Sequence, residues 1–168
     1  MDIEEYFDES NYLNEDKTLK EKCFILYHSH PNWQEIPRDQ TLIIYQDFSF
    51  EKKLFWYKFP LKKRLFSSYK SNLIPENIFE ILRELNALET LKIKNFYTSK
   101  TEKYSPEGLS EDSYQINHNG KNHSINMSSY WTDETLFISN EEKCFLKLHK
   151  SLFEWKNELY ESIIKLHI

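Results

Sequence analysis

The sequence predicts an α+β domain: an antiparallel or mixed sheet of four to six strands, a central helix, and a long C-terminal helix packed on one face. Three observations lead there. Short β-branched and aromatic runs crowd the first third of the chain, and an Asn-Gly pair at 119–120 sits between two alternating segments. Two further stretches, 78–88 and 145–166, carry apolar residues at three- and four-residue spacing. At 168 residues the chain fits a single domain, 1–168, able to bury a core without metal or disulfide support.

Each element follows from local chemistry. The leader, 1–21, is either a short helix with Ile3, Tyr6 and Phe7 on one side or a mobile terminus. Cys23 to Tyr27 is apolar or aromatic throughout and reads as a buried strand, ended by a connection bounded by Pro31 and Pro37. TLIIY at 41–45 and KLFWYKF at 53–59 read as two more strands, paired through the turn between them. Pro75 suits a first helical position, and Ile78, Ile81, Leu82, Leu85 and Leu88 give the central helix its apolar stripe. The polar run 98–112, with Pro106 and Gly108, reads as a long exposed loop. SYQINHNGKNHSINM predicts a hairpin closed by a type I′ turn at Asn119-Gly120. Ser139 and Glu142 have capping-box spacing, and Phe145, Leu148, Leu152, Trp155, Leu159, Ile163 and Leu166 stripe the helix that follows.

Composition excludes several function classes. With only two glycines, Gly108 and Gly120, the chain builds neither a P-loop nor a dinucleotide-binding turn. Two cysteines are too few for a disulfide framework, so Cys23 and Cys144 read as free thiols of a reducing compartment. Neither a signal segment nor a membrane-length apolar run stands out, which predicts a cytoplasmic protein. There is no G-x-S-x-G and no H-E-x-x-H.

The net charge of −5 hides a polarised distribution. Residues 1–21 hold eight acids and two lysines, whereas 51–70 hold seven bases and one acid. The segment KKLFWYKFPLKKRLFSSYK interleaves bases with aromatics as nucleic-acid surfaces do, making Lys62, Lys63 and Arg64 its candidate contacts. The acidic leader is an alternative partner for these bases within the same molecule.

Histidines offer the remaining candidates. EKCFILYHSH and EKCFLKLHKS both place a histidine five residues after a cysteine. In a strand an offset of five points to opposite faces unless a bulge intervenes, and in a helix it diverges by about 140°, so neither copy predicts a zinc half-site. His28 and His30 differ by two and share a strand face. HSHP resembles the metal-binding segment of the JAMM or MPN-type zinc isopeptidases, which implies a metal-dependent hydrolase with His28 and His30 as ligands. Arg38 and Thr41 stand where that resemblance requires the family's serine and aspartate, and Asp39 is out of register. The bland reading has these histidines ending a strand and bonding to a turn. In the hairpin, His118 and His123 lie diagonally on one face with Tyr114, Ile125 and Met127, as the polar margin of an apolar face or as a ligand pair.

No cofactor and no catalytic residue is predicted. The expected function is a non-catalytic protein-binding module, a bacterial inhibitor or toxin-immunity protein masking a basic partner, with Tyr104, Tyr130 and Trp131 as aromatic anchors.

Overall fold

Turn chemistry sets the course of the chain. The computed structural model describes residues 2–30, 38–58, 63–97, 111–128 and 133–166. A short helix, α1 (Ile3–Phe7), is capped by Asp2 and leads through a turn-rich segment to β1 (Cys23–His30). β2 (Arg38–Tyr45), β3 (Phe50–Lys58) and β4 (Lys63–Ser71) follow, then α2 (Glu76–Ala87), β5 (Phe96–Tyr97), β6 (Glu111–His118), β7 (Lys121–Ser128) and α3 (Asn140–Lys165). The strands make one sheet in the order β4-β3-β2-β1-β6-β7-β5. All pairs are antiparallel except β5 with β7.

The class is as predicted, but the sheet has seven strands among the described residues. The two extra ones are those with least apolar alternation. β4 is an edge strand rich in Lys, Arg and Ser, and β5 is only two residues long. Two boundaries also move, and the leader packs differently from the expectation. Pro75 is the residue before α2 and has extended ψ. β6 begins at Glu111, inside the stretch expected to be loop. The leader helix buries Tyr6 and leaves Ile3 and Phe7 exposed, so those three residues do not share a packed side.

The hairpin turn forms as expected, with positive φ at both Asn119 and Gly120. The β2–β3 turn is less orthodox. Phe48 takes the left-handed conformation that glycine favours, and its ring packs edge-on against Phe24 and Phe79. The ring packing offsets the backbone cost.

Strand alternation divides the sheet into two faces. Tyr27, Leu42, Ile44, Phe50, Tyr114, Ile116, Ile125 and Met127 meet α2 and α3 in the main core. Both predicted helical stripes serve this face, with Ile78, Leu82 and Leu85 from α2 and Phe145, Leu148, Leu152 and Trp155 from α3. The Ser139–Glu142 capping box is complete. On the opposite face the leader covers a smaller core, Tyr12, Leu13 and Leu19 against Cys23, Leu26 and Ile43. The start of the leader forms the short helix α1, and residues after it pack on this smaller core. Among the described residues, no helix is long and apolar enough to cross a membrane.

Candidate binding cleft

The leader does not cover its whole face of the sheet. Beside it opens a cleft of about 390 Å³, with Tyr6, Phe7, Glu9 and Tyr12 along one wall and strands β1, β2, β6 and β7 beneath. β1 places His28 here, with Thr41 directly across on β2 and Ser113 directly across on β6. Asp39, two residues before Thr41, shares that face. His28 Nε2 donates to Asp39 Oδ1 at 2.9 Å, and Tyr6 Oη donates to the same oxygen at 2.8 Å. Two residues from separate elements, Tyr6 and His28, thus converge on one oxygen of Asp39.

Their electrostatics follow from that geometry. Burial pushes the His28 pKa down, but the hydrogen bond and charge of Asp39, with Glu9 and Asp112 adding to them, leave it raised overall. Burial raises the Tyr6 hydroxyl's pKa strongly, and the Asp39 charge adds to this, so it stays a neutral donor. Both residues of this hydrogen-bonded pair line the cleft. The floor is uncharged and polar: Ser113, Gln115, Ser124 and Asn126 line it, and Gln115 Oε1 is buried with no hydrogen-bond partner among the described residues.

The bulge in β1 between Cys23 and Ile25 brings Cys23 onto the same face as His28, but Cys23 is buried in the small leader core. Both cysteines are free and buried, with thiol pKa values raised mainly by burial. Among the described residues, no group of three or more His, Cys, Asp and Glu gathers as a metal set would. The backbone of His30 ends β1, but its side chain lies outside the described residues.

The charged segments meet as well. All eight acids of the leader, Asp2, Glu4, Glu5, Asp8, Glu9, Glu15, Asp16 and Glu21, are exposed. Beneath them Lys53 is buried, 5 % exposed, with Nζ 3.2 Å from the Glu5 carbonyl and lying over the rings of Tyr6 and Tyr12. Lys52 is fully buried on the other face, where it donates to Gln40 Oε1 at 2.6 Å. Two of the seven bases are therefore internal. Lys63 and Arg64 are exposed on the edge strand β4, while Lys62 lies outside the described residues. So do Tyr104, Tyr130 and Trp131, the three expected aromatic anchors.

Reasoning from the sequence found His28 but missed Tyr6, Asp39 and Gln115 as its neighbours. The alternation of Asp39 and Thr41 on a strand was a usable signal. The pairing register that brings β1 between β2 and β6 was not available from it. No protein family, no curated protein and no solved structure matches this chain.

Proposed function

We propose that the chain is a non-catalytic protein-binding module that masks a basic partner, as inhibitors and toxin-immunity proteins do. The observation that carries this reading is the leader. It packs on the sheet with its acids all exposed, around two exposed apolar residues beside an open cleft. Phe7 is 63 % exposed and Ile3 47 % exposed, flanked by Glu4, Glu5, Asp8 and Glu9. Acidic groups around an apolar anchor suit a basic protein surface: the charges speed encounter and the ring supplies burial. The nucleic-acid reading has less support, because Lys52 and Lys53 are taken into the interior.

Capture from the native host tests the proposal. Immobilised wild-type protein should retain a basic protein that Phe7→Ala releases at least about tenfold more readily. Retention of nucleic acid through Lys63 and Arg64, with no protein partner sensitive to Phe7, would overturn it.

A further inference from the structure

The leader is attached to the sheet in two different ways, and the change falls at Asp8. In α1 only Tyr6 is buried, while Ile3, Glu4, Glu5 and Phe7 are exposed. The Tyr6 ring centroid lies 5.2 Å from that of Phe66 and 6.3 Å from that of Phe55, and its hydroxyl donates to Asp39. Lys53 supplies a second hold from below, with Nζ 3.2 Å from the Glu5 carbonyl and 3.5 Å from that of Asp8. Residues 9–21 are held otherwise. Tyr12, Leu13 and Leu19 sit in an apolar core with Cys23, Leu26 and Ile43. Amides of Leu13, Asn14 and Lys20 donate to the carbonyls of Glu9, Thr18 and Tyr12, closing this stretch on itself, and the Leu19 amide donates to Asn122 Oδ1 on β7.

A helix as short as α1 has no stability of its own, because the cost of nucleation is spread over too few residues. Its order therefore depends on Tyr6 and Lys53. One buried ring has to offset the ordering entropy of the whole segment. Lys53 holds the segment at the expense of its own hydration, and burial is the main reason its pKa is lowered. Lifting α1 returns water to that ammonium, which lowers the cost of opening. At Asp8 the backbone leaves the helix with extended ψ, and the Asp8 carboxylate accepts from the Ser10 amide. A break between Asp8 and Glu9 leaves the apolar core of residues 9–21 and its backbone bonds intact.

Opening at that point changes what the cleft presents. Tyr6 and Phe7 form part of its wall, so the cleft widens when they leave. Phe55 and Phe66, half-buried and stacked on each other at 5.1 Å, lose the Tyr6 ring that covers them.

We propose that α1 is a lid on the cleft, latched by Tyr6 on Asp39 and hinged between Asp8 and Glu9, which opens while residues 9–21 stay packed.

Amide hydrogen exchange of the full chain, read by NMR across a series of low denaturant concentrations, tests this. The Glu5 and Tyr6 amides are bonded within the segment, to Asp2 Oδ1 and the Asp2 carbonyl. Corrected for intrinsic rates, they should exchange at least about tenfold faster than the amides of Leu13, Leu19 and Lys20, and without dependence on denaturant, as a small local opening does. Tyr6→Phe keeps the ring and removes the hydroxyl. A hydrogen bond to a charged group shifts such an equilibrium by about tenfold or more, so the Glu5 and Tyr6-position amides should speed up by at least about tenfold. Leu13→Ala separates the two parts of the leader. It should speed exchange at Leu19 and Lys20 by at least about tenfold, as loss of a core side chain does, and leave the Glu5 and Tyr6 amides within about twofold of wild type. If Leu13→Ala fails to fold, the denaturant series on wild type decides alone. Glu5 and Tyr6 amides that share the rate and denaturant slope of Leu13 and Lys20 would overturn the proposal, since the leader would then open as one unit. So would acceleration of both sets together in Leu13→Ala, or unchanged Glu5 exchange in Tyr6→Phe.

Discussion

His149 shows how far burial reshapes a single residue here. It shares a 2.6 Å hydrogen bond between its Nδ1 and the Tyr114 hydroxyl, and it stands edge-on to Tyr27, which stacks on Tyr114. Burial first, then the charges of Lys156 and Lys150, lower its pKa to about 4. The unfolded chain would bind its proton near pH 6.5. Between those values the unfolded state holds more protons than the folded one, so stability falls as pH falls through that window. Between pH 7 and pH 5 this group should remove about 2 kcal/mol. His28 works in the opposite sense. Its raised pKa contributes stability below the unfolded value, and that contribution is lost as pH rises through the folded one. Denaturant titrations of wild type and His149→Gln at both pH values separate the two. The variant should lose about 2 kcal/mol less on acidification, whereas an identical loss would place the titrating group elsewhere.

At the scale of elements, α3 was legible in the sequence because its period and cap agree with each other. Trp155 is 6 % exposed and meets Phe50 edge-on at 4.6 Å, so Trp155→Ala should cost about 3 to 5 kcal/mol in chemical denaturation. Ser139 accepts from the Glu142 amide at 3.1 Å, and Ser139→Ala should cost about 1 kcal/mol. A loss below about 1 kcal/mol at Trp155 would contradict the packing. What the stripe did not reveal is that the same helix buries a charge. Lys156 is 3 % exposed and donates to Ser29 Oγ at 2.8 Å, above a row in which Gln40, Ser29 and Asp112 stand side by side on β2, β1 and β6. Burial raises the Asp112 pKa, and Lys156 pulls it back. A lysine in a helical pattern reads as solvent-facing, and only the strand order places a polar row under it. The same limit hid β4 and the Tyr6–Asp39–His28 convergence. Periodicity reports which face of an element is apolar, but pairing register decides which polar residues become neighbours.

Across the whole molecule, charge asymmetry becomes architecture. The acidic leader lies over the sheet, takes Lys53 into its underside and turns its carboxylates outward. Because Tyr12, Leu13 and Leu19 seal Cys23, Leu26 and Ile43, deleting the leader would expose that core and confound any binding measurement. Charge reversal at positions that keep the packing is the cleaner probe. Glu4→Lys, Glu5→Lys and Glu15→Lys together change exposed groups only. If the leader steers a basic partner, the triple variant should associate at least about tenfold more slowly at low salt, since such attraction is screened beyond about 8 to 10 Å at physiological ionic strength. Its association rate should also lose its dependence on salt. Dissociation should change by less than about threefold, because rim charges act mainly on encounter. Phe7→Ala should show the converse, leaving association near wild type and speeding dissociation about tenfold, as loss of a buried anchor does. Stopped-flow kinetics on the captured partner across a salt series measure both. Equal effects of the triple variant on the two rates would mean that the acids sit inside the buried contact, and a salt-insensitive wild-type association would remove the leader from recognition altogether.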